Sequence, residues 1–337
     1  MTAKIDHKDK KILHFLSVNA RESDSTIAKA VGLSRTSVTY RIKRLENLGI
    51  IKKYLAWINT TQLGYNNFQI YLKLKNFTIE KQNKIIEIIK KNPNVKWFIS
   101  IGWPYDLFFV MSAKDMRDLD LKLKTLYSEF EEDIANTKIF LVDTILKEVP
   151  PFFSDTIKFP KDHDIKPFNG ALNIDKTDVH ILEFISENAR ANVIHIKEFL
   201  DKKGSQITPE GISYRLKKLK KFGILKKYAA VLDYKKLGLH FFMIIFKFNK
   251  IPKDLEFKIK NLGNPDKNII YADRTIDHRI RIEILAETLE EVNEAISYIR
   301  SVFNEHVEDY EILPLFEEHI LTTMPRGIHS DLLESVN

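Results

Sequence analysis

Residues 5–21, IDHKDKKILHFLSVNAR, return at 174–190 as IDKTDVHILEFISENAR, identical at 10 of 17 positions with an offset of 169. A second match follows at an offset of 174. Residues 40–64, YRIKRLENLGIIKKYLAWINTTQLG, align with 214–238, YRLKKLKKFGILKKYAAVLDYKKLG, identical at 12 of 25 positions. A period of half the chain is too long for a solenoid, so the repeat reads as one two-part unit made twice.

Each copy opens with a helical stretch. Ile12, Phe15 and Leu16 have helical spacing, and a short second helix is expected over 25–31. Gly32 then breaks the chain, Ser34 suits an N-cap, and a third helix over 35–48 carries Val38, Ile42, Leu45 and Leu48 as its apolar stripe. IIKKYLAWI (50–58) follows as a strand, read as one arm of a wing. After Gly64 the pattern changes to strand 68–74, helix 79–91, strands 95–101 and 107–112, helix 114–130 and strand 134–146. That order, βαββαβ, is the ferredoxin-like split unit. The second copy repeats it after Gly238. The expected class is therefore α+β, as two tandem units, each a winged helix-turn-helix followed by a βαββαβ domain. The boundaries are 1–64 and 65–149 for copy one, a proline-rich linker over 150–171, 172–238 and 239–325 for copy two, and a tail over 326–337.

Composition narrows the function. With 44% hydrophobic and 29% charged residues the chain is ordinary globular protein. A net charge of +7 leans toward polyanionic partners. The absence of cysteine excludes disulfides, thiolate metal sites, iron–sulfur clusters and cysteine nucleophiles. The N-terminus has no signal-peptide apolar core, and the longest apolar run, FFMIIF at 241–246, is far short of the roughly 18 residues of a membrane helix. A cytoplasmic protein without membrane contact is expected. The ten histidines show no metal-binding spacing such as HExxH, and His7, His14, His180 and His195 read as surface or core residues of helices. No catalytic group, metal or cofactor is expected.

The third helix is the candidate reader of double-stranded DNA. Opposite its apolar stripe stand Arg35, Thr36, Thr39, Tyr40 and Lys43. Arginine reaches guanine edges, threonine meets thymine methyls, and residues near the start of such a helix meet bases. Arg35, Thr36 and Thr39 are therefore assigned to bases. Arg41, Lys43 and Arg44, with Lys52 and Lys53 of the wing, are assigned to phosphates. The plainer alternative is a solvated basic face, but the basic residues recur on the same segment of both copies. In copy two Pro209 and Glu210 replace Arg35 and Thr36, and five extra residues lengthen the turn. Its groove stripe is Pro209, Glu210, Ser213, Tyr214 and Lys217, with Arg215, Lys218, Lys220, Lys221, Lys226 and Lys227 keeping phosphate-facing charge. It should read different or fewer bases, or serve structure alone.

These residues resemble the Lrp/AsnC family of transcription regulators. The resemblance is carried by I-D-x-x-D-x-x-I-L, the NAR at 19–21, GLSRTSVTYRIKRLENLGII, the tyrosine after the paired lysines and the LG at 63–64. It implies a RAM-type effector domain for each βαββαβ unit, dimerisation through the sheets, and a small effector such as an amino acid. The two copies can then pair within one chain as an asymmetric pseudo-dimer, which itself assembles into a larger homo-oligomer. The family's Gly-x-Tyr-Asp-like turn corresponds to GWPYD (102–106), making Gly102, Tyr105 and Asp106 the candidate effector contacts. In copy two the turn is DRTID (273–277), without glycine. Sirohaem decarboxylases are similar to this family and are also built from two such units. That reading would set Arg274, His278, Arg279 and Arg281 against tetrapyrrole carboxylates, although Arg279 and Arg281 also fit a solvated or paired sheet face.

Overall fold

The structure is a computed structural model that describes residues 4–149, 174–262 and 269–336. The proline-rich linker reading, 150–171, lies outside the described residues. Copy one begins with helices α1 (His7–Val18), α2 (Asp24–Val31) and α3 (Arg35–Asn47) and strand β1 (Ile51–Ile58). Its second half is β2 (Asn66–Leu74), α4 (Ile79–Lys91), β3 (Val95–Ile101), β4 (Leu107–Ala113), α5 (Met116–Tyr127) and β5 (Ile134–Glu148). Copy two follows the same order. It comprises α6 (Lys176–Glu187), α7 (Val193–Lys202), α8 (Pro209–Lys221), β6 (Leu225–Leu232), β7 (His240–Phe248), α9 (Leu255–Asn261), β8 (Ile269–Thr275), β9 (Arg279–Ala286), α10 (Leu289–Phe303) and β10 (Val307–Leu321). The α+β class and the two βαββαβ units expected from sequence are present.

The D-x-x-D of the repeated motif has a local cause. Asp6 accepts the Asp9 N–H at 2.8 Å and Asp9 accepts the Asp6 N–H at 3.1 Å, a reciprocal capping box that starts α1. Asp175 and Asp178 do the same for α6. Ser34 caps α3 by accepting the Ser37 N–H at 3.1 Å, and Thr208 caps α8, which starts with Pro209 where no amide hydrogen is needed.

The two sheets close on each other. Within each copy the strands lie in ferredoxin-like order, and the free edges then pair between copies, β5 with β8 and β3 with β10, giving a closed eight-stranded barrel. Closure leaves no open edge among the barrel strands. Alternation along each strand sorts the side chains. Phe68, Ile70 and Leu72 of β2 and Ile280, Ile282 and Ile284 of β9 face their own helices, whereas Tyr71, Ile99, Phe108, Met243 and Leu313 fill the barrel interior.

One expectation changes here. β1 is not an arm of a wing: its strand partner is β6 of the other copy, in an antiparallel two-stranded ribbon. The ribbon crosses between the DNA-binding halves, so Ala230 and Leu232 of β6 complete the core around α1–α3, while Ala56 and Ile58 of β1 complete the core around α6–α8. The tail is helical: α11 (Arg326–Ser335) buries Ile328 and Leu332 against α6, because two apolar residues four apart share one helix face.

Candidate nucleic-acid interface

The ribbon and the NAR segments bind the two helix-turn-helix units together. The Arg21 guanidinium donates to the Ala189 carbonyl at 2.6 Å and stacks over the Tyr228 ring at 3.9 Å. Arg190, its counterpart, lies over Tyr54 at 5.2 Å and pairs with Asp24 at 3.3 Å. Each arginine of NAR thus meets the tyrosine that follows the paired lysines of the other copy.

The two third helices, α3 and α8, present their readers outward. Arg35, Thr36, Tyr40 and Lys43 are exposed on α3, as are Glu210, Tyr214, Lys217 and Lys221 on α8. Tyr40 and Tyr214, at matching positions, are 69% and 71% exposed. Each stands on the basic face of its helix, beside Lys43 and Lys217 respectively. The Thr39 hydroxyl donates to Asp24 at 2.6 Å, and the Ser213 hydroxyl donates to its own helix at the Pro209 carbonyl, so both are partly drawn back into the fold.

Several residues expected at phosphates have partners inside the protein. Arg41 reaches Asp6 at 2.7 Å and Asp9 at 2.8 Å, and Arg44 reaches Asp9 at 3.0 Å. In copy two Arg215 pairs with Asp175 and Asp178, and Lys218 with Asp178 at 3.5 Å. Burial pushes the Asp175 carboxyl up, but the Asp178 N–H and Arg215 outweigh it and hold the group below its ordinary range. These cations clamp the third helix to the start of the first, because positions 41 and 44 turn toward α1 while 40 and 43 turn away. The lysines of β1 also have partners inside the protein. Lys52 pairs with Glu318 at 2.8 Å, and Lys53 donates to the Leu321 carbonyl at 2.6 Å, because β1 lies over the barrel instead of projecting as a wing. Lys226 and Lys227 of β6 hold Glu148 in the same way. Burial pushes the Glu148 carboxyl up, but the two ammonium groups outweigh it and bring it down to about 2.

The turn proposed for effector contact is also occupied by its own fold. Tyr105 is buried in the barrel interior, and the Asp106 carboxylate accepts the Leu74 N–H at 2.7 Å and pairs with Lys73 at 3.1 Å. A side chain at Gly102 would meet Pro314 at 2.6 Å, so close strand contact accounts for the glycine.

Sequence reasoning missed a cavity of about 740 Å³ between the ribbon and the barrel mouth. Both copies line it, among others through Trp57, Lys96, Trp97, Glu148, Arg281 and Glu283. Burial, and after it the Lys226 ammonium, pushes Lys96 down to about 8, with Glu148 opposing. Burial pushes Glu283 up to about 7, against the pull of Arg281. An acid and a base displaced toward neutrality in one cavity mark a candidate ligand site. Its signal in the sequence is slight: Arg281 and Glu283 share one face of a strand whose other face is pure isoleucine at 280, 282 and 284. Of the four tetrapyrrole candidates, Arg274 pairs with Asp143, Arg279 with Asp277 at 2.9 Å, and Arg281 with Asp273 at 2.6 Å. His278 occupies the β8–β9 turn with a positive φ of 66°.

Comparison with known proteins decides the family. An AsnC-type helix-turn-helix domain model matches residues 5–46. The HTH-type transcriptional regulator LrpA of Pyrococcus abyssi is 31% identical over 154 residues, covering 46% of this chain and 99% of that protein. The chain belongs to the Lrp/AsnC family. LrpA of Pyrococcus horikoshii matches over the same span at 31% identity. A single relative fills less than half of this Lrp/AsnC chain, in keeping with its internal duplication. Over its whole length the fold is similar to that of the sirohaem decarboxylase NirDL, with a TM-score of 0.59, 13% identity, and coverage of 98% of this chain and 99% of that one. At that identity the likeness is one of fold. No helix among the described residues is long and apolar enough to cross a membrane.

Proposed function

We propose that this chain is a sequence-specific regulator of transcription that binds double-stranded DNA through α3 and, with different readers, α8. The observation that carries the reading is the paired outward face: Arg35, Thr36, Tyr40 and Lys43 on α3 against Glu210, Tyr214 and Lys217 on α8, each held by its own aspartate clamp. The copies supply the family's dimer within one chain. If their readers enter successive major grooves they should lie about 34–36 Å apart. Because the readers differ, the preferred site should be an imperfect repeat. The closed barrel has no strand edge to offer, so any larger homo-oligomer would use helix faces. The test is fluorescence anisotropy on genomic duplexes across a salt series, with Arg35→Ala/Lys43→Ala beside the wild type. Wild type should bind tightly at low salt. The variant should bind more weakly, with a log–log slope shallower by about 0.9 for each phosphate it no longer neutralises. Absence of wild-type binding at low salt, or an unchanged variant, would sink the proposal.

A small effector, such as an amino acid, is proposed to enter the cavity under the ribbon instead of the 102–106 turn, seating a carboxylate against Lys96. From there it would bias the pose of β1 and β6 and so of both readers. Lys96→Met should raise stability at pH 7 by ~1–3 kcal/mol, because it removes a desolvated ammonium, while abolishing any effector response. The sign follows from the lowered folded pKa. The penalty is full below pH 8 and fades as pH rises from there toward the ordinary lysine value of 10.5. Thermal melts at pH 7 and pH 10 would show it, and an equal gain at both would contradict it.

The second reading, an enzyme acting on a tetrapyrrole, draws on the same cavity, since Lys96 and Glu283 have the shifted proton affinities of acid–base groups. Incubation with sirohaem separates the two: unchanged tetrapyrrole together with salt-sensitive DNA binding favours the regulator, and decarboxylated product favours the enzyme.

A further inference from the structure

We propose that His180, Glu183 and His329 form a site for a divalent transition-metal ion of the zinc type, which fastens α11 to the second helix-turn-helix. The proposal does not rest on the DNA-reading function. His180 and Glu183 are three apart on α6 and so share a face. His329 comes from α11, whose Ile328 and Leu332 are packed into the core around α6. The His180 Nδ1 lies 3.3 Å, and the His329 Nε2 2.9 Å, from the same carboxylate oxygen, Glu183 Oε2. All three ligand atoms fall within 4.8 Å of one another.

The His329 contact is the informative one. Its Nε2 is buried and stands 2.9 Å from the Glu183 carboxylate oxygen, which is also the neighbour of His180 Nδ1. A cation held between the two atoms would satisfy both. Zinc–nitrogen and zinc–oxygen bonds of about 2.0–2.2 Å at tetrahedral angles set ligand atoms about 3.3–3.6 Å apart; the His180–Glu183 pair already stands at 3.3 Å, and the His329–Glu183 pair at 2.9 Å would open slightly to admit the ion. Two imidazoles and one carboxylate suit zinc and its right-hand first-row neighbours over calcium or magnesium. A fourth position would remain for water. Lys203, with its ammonium 3.4 Å from Glu183 Oε2, is the internal competitor. It sits on a flexible, partly exposed stem that can swing away. Copy one has Lys11 and His14 at the positions equivalent to His180 and Glu183. The site therefore belongs to copy two alone, and metal would stiffen one reader and not the other.

The test uses the untagged full chain after chelator treatment. Zn2+ is titrated by calorimetry and Co2+ by visible absorption. Wild type should take up one equivalent, with the intense ligand-field bands of four-coordinate cobalt, and its melting temperature should rise with metal. His329→Gln and His180→Gln should each lose affinity by about 100-fold and lose the melting response. Lys203→Met should bind more tightly than wild type, a gain that damage to the fold would not give. His329→Gln should melt like metal-free wild type, so that lost binding is not lost folding. Absence of saturable binding by wild type, or wild-type affinity in His329→Gln, overturns the site.

Discussion

Replacing Arg281 by methionine should destabilise the chain by about 3–5 kcal/mol at pH 8, with a smaller loss at pH 5. Arg281 lies inside the barrel mouth, 5% exposed at its side chain, with Asp273 at 2.6 Å and Glu283 at 3.2 Å. The rings of Tyr271, Phe108 and Trp97 surround it with centroids 4.9, 5.5 and 5.6 Å away. Gln69 donates to the same Asp273 oxygen at 2.8 Å and ties the group to β2. Removing the guanidinium leaves two carboxyls buried without a counter-charge. Burial already raises Glu283 to about 7, so in the wild type it works against folding as pH climbs from the ordinary carboxylate range through 7. Without Arg281 that proton is held still more strongly, and the added penalty applies only where the carboxyl must ionise. Urea denaturation at both pH values checks the sign. A companion variant, Arg281→Met/Asp273→Asn/Glu283→Gln, should recover much of the loss, because the full ionic group can be replaced where half of it cannot. A loss equal at the two pH values would refute the account.

The sequence carries the local structure well and the partnerships poorly. The repeat shows as soon as one half of the chain is laid on the other, and the Ser34 cap, the Gly32 break and the period of each element follow from the nearest few residues, so these are legible. What β1 pairs with is a different kind of fact: its apolar and aromatic residues mark IKKYLAWI as a strand but are silent on its neighbour, which lies in the other copy. The same holds for NAR and the following tyrosine. Both belong to the family's motif, yet Arg21 meets Tyr228 and Arg190 meets Tyr54, each contact spanning the duplication. The cavity and the His180–Glu183–His329 cluster are assembled from segments more than a hundred residues apart. α11 could have been found, since Ile328 and Leu332 are spaced as on one helix face. Among the basic residues, composition gives the charge while helical phase decides its use. Lys43 and Arg44 are adjacent in sequence, and one faces solvent while the other faces Asp9.

That difference in phase sets the second large effect. The double variant Arg41→Ala/Arg44→Ala should lower stability by about 3 kcal/mol or more, whereas Arg35→Ala should stay within about 0.5 kcal/mol of wild type. Asp9 is 1% exposed and depends on these two guanidiniums for its counter-charge, and it also closes the capping box of α1. Loss of the clamp would unseat α1 from α3, and through β6 the disturbance would reach the other copy, because Ala20 donates its N–H to the Tyr228 carbonyl at 2.8 Å. The Asp6 carboxyl is pushed up by burial but pulled down further by the Asp9 N–H and by Arg41, so the clamp's stabilisation is present at neutral pH and lost as pH falls through the carboxylate range. The deficit of the double variant should therefore narrow toward about pH 3. Had Arg41 and Arg44 served only as phosphate contacts, the variant would melt like the wild type and differ solely in the salt dependence of DNA binding. Melting curves with and without duplex decide between these, and a normal melt with a shallower salt slope would return both arginines to the DNA face.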